Sequence, residues 1–127
     1  MAKRKSIHVA GFGHVNPIPA ACRVGNLVMS GGIAGIDTAT GKVAPTLEAQ
    51  CAFMFQHVKT IVEAAGGTPD DIIKLTVWMT DRGQRAALNA EWLKMFPDEH
   101  ARPARHTMQT PLDGGLLIQC DFTAVLG

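Results

Sequence analysis

Toward the end of the 127-residue chain runs Arg102-Pro103-Ala104-Arg105-His106. Two arginines three positions apart, stiffened by a proline and entering an extended run, present planar five-donor forks suited to bidentate capture of a carboxylate. The same side chains are equally suited to ion pairs with Asp98 or Glu99 just upstream. No nucleophile or metal motif accompanies them: the chain has no G-x-S-x-G, no H-E-x-x-H and no Cys and His set at zinc-site intervals. His8, His14, His57, His100 and His106 are scattered, and each alone reads as a surface or hydrogen-bonded residue rather than a ligand. His106 adjoins Arg105, but a regular strand turns the two to opposite faces. Gly31, Gly32 and Gly35 permit close backbone approach or positive φ, yet follow neither G-x-G-x-x-G nor Walker spacing, so phosphate cradling is disfavoured. The chemistry on offer is carboxylate recognition without a metal.

Composition narrows the partners. Twelve Lys and Arg against eleven Asp and Glu give a net charge of +1, so no basic field recruits a phosphate backbone. The basic cluster Lys3, Arg4, Lys5 stands at a terminus, where a solvated end is the simple explanation. No apolar core of a signal peptide follows it, and no run approaches the roughly 20 apolar residues of a membrane span. A cytoplasmic protein is expected. Cys22, Cys51 and Cys120 form no Cys-x-x-Cys pair, and an odd number fits a reducing compartment with free thiols. With 46% hydrophobic and only 18% charged residues the chain is one folded domain, 1–127, short of surface charge, which points to further burial between subunits.

The elements that must position these residues are legible from periodicity. Gly25-Asn26 between Ala20 to Val24 and Leu27 to Ser30 predicts a hairpin, and Asp37 to Gly41 a further turn. Apolar residues from Cys51 to Ala65 recur at offsets 0, 3, 4, 7, 10, 11 and 14, an amphipathic helix spanning Thr46 to Ala65, capped by Thr46 and ended by Gly66-Gly67. Ile73, Leu75, Val77 and Met79 alternate with polar positions, as in a half-buried strand. A second helix from Thr80 or Asp81 lines up Leu88, Trp92, Met95 and Phe96 before Pro97, with Asn89 beside that stripe and Trp92 in the core. Ala104 to Thr110 and Leu116 to Val125 read as a final hairpin around Asp113-Gly114-Gly115, with Ile118, Cys120, Phe122 and Ala124 on one face and Gln119, Asp121 and Thr123 on the other. The order predicts an α+β sandwich, a mixed sheet with two helices on one face.

Several of these features, taken in order, resemble the RidA/YjgF family of enamine and imine deaminases over nearly the whole chain. They are Asn16-Pro17 before Ala20-Ala21, Gly25-Asn26 leading to Ser30-Gly31, the Asp37 to Gly41 turn, Gln50, Val62-Glu63-Ala64-Ala65-Gly66, Asp81, Asn89, Phe96, Arg102-Pro103-Ala104-Arg105, and the strand from Ile118 to Val125. The resemblance implies a homotrimer of chorismate-mutase-like subunits, sheets inward and helices outward, with sites in the clefts between adjacent subunits. It implies that Arg105 holds a substrate carboxylate, that Ser30, Gly31 and Asn89 contribute to the pocket, and that the backbone of Thr107 positions substrate or water. The implied reaction is hydrolysis of a 2-imino acid, formed from an enamine such as 2-aminoacrylate, to a 2-keto acid and ammonia, with no cofactor.

Three positions depart from that family's pattern. Gln119 stands where its deaminases carry a glutamate, so a catalytic residue there orients water but accepts no proton; water activation is then weaker or passes to His106 or Asp121. Ile18 stands in place of a pocket tyrosine and Thr107 in place of a frequent cysteine. Trp92 replaces a tyrosine of the second helix. A non-catalytic carboxylate-binding or regulatory trimer is therefore the alternative function. An endoribonuclease or translation inhibitor, the family's other description, is disfavoured by the balanced charge and the lack of stacking aromatics.

Overall fold

Gly25 opens the first hairpin with a φ of 57°, a left-handed conformation that glycine adopts without a Cβ penalty. In the computed structural model, which describes residues 3–12 and 16–127, it joins β2 (Ala21–Val24) to β3 (Leu27–Ser30). His14 lies outside the described residues. A short strand β1 (Lys5–Ile7) pairs antiparallel with β2 at the sheet edge. β3 continues, after an interruption, into β4 (Ile33–Ala34); β5 (Ile36–Asp37) and β6 (Lys42–Val43) then form a separate ribbon around the Asp37 to Gly41 turn.

Helix α1 (Leu47–Ala64) follows its periodicity closely. The Thr46 hydroxyl accepts from the Ala49 N–H at 3.2 Å, a cap worth about 1 kcal/mol, and Gly66, at φ 99°, closes the other end. Its stripe of Cys51, Met54, Phe55, Val58, Ile61 and Val62 is buried, each larger side chain contributing roughly 1.5–3 kcal/mol of apolar burial. Gly35 has the closest backbone approach in the glycine-rich stretch: a Cβ there would strike the backbone of Gln50 in α1. That stretch therefore serves helix packing, and none of its three glycines has positive φ.

β7 (Ile72–Met79) places Leu75, Val77 and Met79 inward as expected, but Ile73 is 53% exposed. A bulge between Ile72 and Lys74 shifts the register by one residue, so Ile72 takes the inward position instead. The second helix also begins later than its pattern predicts. Asp81 caps a 3₁₀ turn over Arg82–Gln84, accepting from the Gly83 N–H at 2.8 Å, and α2 proper spans Arg85–Met95.

The largest correction concerns the last two strands. β8 (Ala104–Gln109) and β9 (Ile118–Val125) form no hairpin, because β7 lies between them, antiparallel to β9 and parallel to β8. The β7, α2, β8 segment is a crossover unit, which local turn signals around Asp113 cannot reveal. The sheet order is β1-β2-β3-β9-β7-β8, with β4 also on β9. α1 packs on β4, β9 and α2, so both helices cover one face of a mixed sheet. The opposite face carries Leu27, Met29 and Val125, exposed at 43%, 56% and 40%.

Candidate functional site

Arg105 lies in β8, the edge strand next to β7, in register with the inward-facing Leu75. Its side chain therefore rises on the helix side and meets α2. Arg85, Asn89 and Trp92 are four and three residues apart on that helix, a spacing that puts them on one stripe facing β8. Arg105 Nη2 donates to Asn89 Oδ1 at 2.9 Å, and the guanidinium carbon sits 4.9 Å from the Trp92 ring centroid. Such stacking over an indole is worth roughly 0.5–1 kcal/mol at a partly exposed site. Trp92 is 9% exposed and also packs edge-on against Phe96, so it is both core and floor for the arginine.

The other arm of the guanidinium, Nη1, is buried without a hydrogen-bond partner, and among the described residues no carboxylate forms an ion pair with Arg105. Burial, and then the positive charge of Arg85, hold its pKa below the ordinary arginine value. The guanidinium is thus oriented by one amide and one ring rather than by a carboxylate of the described residues.

Arg102 does something else. Its Nε donates to the Phe96 carbonyl at 2.8 Å and its Nη2 to the Pro97 carbonyl at 3.3 Å, tying down the chain at the end of α2. Neither arginine pairs with Asp98 or Glu99. Thr107 shares the helix-side face with Arg105, and its carbonyl accepts from Arg82 Nη1 at 3.4 Å.

The remaining expected site residues gather elsewhere. β3 leaves β9 after Met29 pairs with Thr123, and β4 rejoins at Ile33 and Cys120, so Ser30, Gly31 and Gly32 face only Asp121 and Phe122. This bulge orphans a ladder donor, and the Ser30 hydroxyl accepts it: Phe122 N–H to Oγ is 2.9 Å, while Oγ–H donates to the Gly31 carbonyl at 2.8 Å. The Gly31 N–H in turn donates to the Ala20 carbonyl at 2.9 Å. Gln119 lies over the bulge, where a Cβ on Gly32 would meet its side-chain nitrogen. Gln119 aligns with Trp78 and alternates with buried Ile118 and Cys120, so it faces away from the helices. Arg105 and Gln119 thus project from opposite faces of the sheet, with β7 between their strands.

His106 and Asp121 both align with Thr76 and share the face of Gln119. Burial raises the Asp121 carboxyl above its ordinary range. Ile18 is 52% exposed and lines a cleft with His8, Phe12, Asn16 and Pro17 that contains neither Arg105 nor Gln119. Among the described residues no group of histidine, cysteine and carboxylate side chains is arranged to hold a metal, and no helix is long and apolar enough to cross a membrane. The sequence pattern places Trp92 in the core and gives Arg85 no role. The signal for both was the stripe through Asn89, readable once Asn89 was a candidate.

A family model described as Endoribonuclease L-PSP matches residues 12–125. The chain belongs to the RidA/YjgF family. It is 36% identical over 110 residues to a RutC family protein of Haemophilus influenzae, covering 83% of this chain and 85% of that one. It is 34% identical over 96 residues to a 2-iminobutanoate/2-iminopropanoate deaminase of Salmonella typhimurium, covering 75% of each. The crystal structure of the Escherichia coli YjgF gene product, 30% identical, superposes with a TM-score of 0.85 over 95% of this chain and 98% of that one.

Within this RidA/YjgF chain several residues that carried the resemblance have structural work. Gln50, 1% exposed, donates through Nε2 to the Ala44 and Gly115 carbonyls at 3.0 and 3.2 Å and accepts from the Leu117 N–H at 2.8 Å. It pins the 110–117 segment to α1. Asn26 exchanges backbone and side-chain bonds with Leu126, and Asp37 caps its own turn through the Ala39 N–H. These positions hold the fold together.

Proposed function

We propose that this chain is a cofactor-free deaminase of small 2-imino carboxylic acids and the enamines that tautomerise to them, yielding 2-keto acids and ammonia. The observation that carries the reading is Arg105, a guanidinium oriented by Asn89 and Trp92 with a buried, unpartnered Nη1. An imine carbon is already electrophilic, so the site need only hold the carboxylate, place one water and move protons from that water to the departing nitrogen. The deaminase named for 2-iminobutanoate and 2-iminopropanoate among the relatives supports the same substrate class.

Gln119 would orient the water through its amide oxygen, and Asp121, further along that face, is a candidate for proton transfer. Ser30, Gly31, Thr107 and Ile18 would complete the walls. Because the sheet separates Arg105 from Gln119 within one chain, a pocket using both draws them from different copies, as in a chorismate-mutase-like homotrimer with sites between subunits. The exposed Leu27, Met29 and Val125 on the helix-free face support such an inward-facing sheet. The free cysteines fit a cytoplasmic location.

The amide at Gln119 favours one second reading, a trimer that binds carboxylates without turnover. Imines generated by an amino-acid oxidase and followed by ammonia release against semicarbazone trapping separate the two. Acceleration lost in Arg105→Ala supports the deaminase; saturable 2-keto acid binding without acceleration supports the binding protein. Unchanged hydrolysis by Arg105→Ala removes this arginine from the mechanism.

A further inference from the structure

Arg105 is not alone on its side of the sheet. Arg85 opens α2 one helical turn before Asn89, the residue that holds Arg105, and Arg82 reaches the Thr107 carbonyl two residues along β8. Arg82 and Arg85 therefore flank the N-terminal end of α2, where the helix dipole is itself positive, and Arg105 sits farther along the same helix beside Asn89 and Trp92. Of the acidic groups nearby in sequence, Asp81 accepts from the Gly83 N–H and from Gln84 Nε2, and Glu91 faces Lys94 at 3.2 Å, its Oε2 buried and without a hydrogen-bond donor. Arg85 is exposed to solvent, and none of the described residues forms an ion pair or hydrogen bond with its guanidinium. The excess is local, because the whole chain carries only +1. At Arg105 burial first, and then the positive charge of Arg85, disfavour the charged form. Like charges held together without counterions are a feature that a dianionic ligand relieves and a monoanionic one relieves only in part.

We propose that Arg85 provides a second anion contact beside Arg105, and that the site prefers 2-imino acids whose side chain ends in a carboxylate, the imines of acidic amino acids, over those with alkyl side chains. This rests on the deaminase reading and names its substrate class. One helical turn, about 5 Å, separates the Arg85 and Asn89 positions, so Arg85 stands on the same stripe of α2 as the residue that holds Arg105, on the side to which the far end of a four- or five-carbon dicarboxylic acid held by Arg105 would extend. Hydrolysis is unchanged in its balance: water adds across C=N, the carbonyl forms, ammonia leaves, and the distal carboxylate takes no part.

The test is calorimetric titration of the full-length protein with 2-oxoglutarate and with 2-oxobutanoate, in wild type, Arg85→Gln and Arg85→Lys. The expected result is a preference of about tenfold or more for 2-oxoglutarate, abolished in Arg85→Gln chiefly through weaker 2-oxoglutarate binding and partly restored in Arg85→Lys. Equal affinities in wild type, or an Arg85→Gln change that weakens both ligands alike, overturns it. So does a fall in oligomeric mass of Arg85→Gln by sedimentation, which would make Arg85 a contact between copies. Because the ratio is read without turnover, it stands or falls apart from the deaminase reading, which fails if neither the glutamate-derived nor the 2-aminobutyrate-derived imine is hydrolysed faster than in buffer.

Discussion

Replacing Arg105 by lysine keeps the charge and removes the fork, and so tests whether geometry or charge does the binding. In the wild type one N–H of Nη2 is spent on Asn89 at 2.9 Å, and the plane is fixed by the Trp92 ring at 4.9 Å. The second N–H of Nη2, on the exposed side of the guanidinium, and the Nε–H beside it are left for a ligand, enough for two parallel bonds to one carboxylate. A lysine ammonium has three donors on a flexible stem, and any bond to Asn89 is made at the ligand's expense. Losing one charge-assisted bond costs about 1.5–3 kcal/mol, or roughly 10- to 150-fold in affinity. The folding cost is small by comparison, because the lost stacking and amide bond are partly exposed and together worth about 1 kcal/mol. Calorimetric titration with pyruvate should show that loss, alongside a melting temperature within a few degrees of wild type. Affinity within twofold of wild type would refute the reasoning, since a point charge would then serve as well as an oriented fork.

Gln50→Leu should lower stability by about 1–3 kcal/mol in chemical denaturation, because it strands the buried Ala44 carbonyl and removes the part-buried bonds to the Gly115 carbonyl and the Leu117 N–H; a loss well below about 1 kcal/mol would mean that the 110–117 segment is held by other contacts. Asp121→Asn should stabilise the protein at neutral pH and not in acid. The folded state raises the Asp121 pKa, so it holds the proton more tightly than the unfolded chain, and stability declines as pH rises through the carboxylate range. Asparagine removes that decline, and melting curves at about pH 3 and about pH 7 should differ in its favour only at the higher pH.

The elements with strong local periodicity were legible in the chain itself. Cys51 to Val62 can bury one stripe only as a helix, and Ile118 to Ala124 one face only as a strand, so α1 and β9 follow from side-chain spacing. Gly25 marked its hairpin because the first turn residue there has φ 57°. Ile73 misled because a single inserted residue reverses which side chains face inward, and a bulge leaves no trace in an apolar run.

For the site, residue type alone offered Arg102 and Arg105 alike as forks for a carboxylate or for ion pairs, and Asn89 became a candidate only through the family resemblance. Which strands are neighbours is a long-range choice made by the whole core. Only that choice inserted β7 between β8 and β9, set Arg105 against Asn89 and Trp92, and turned Gln119 to the opposite face of the sheet. The Ser30 hydroxyl shows the same division: its chemistry is written in the residue, but its commitment to the Phe122 N–H arises where two strands part company and leave a donor without a partner.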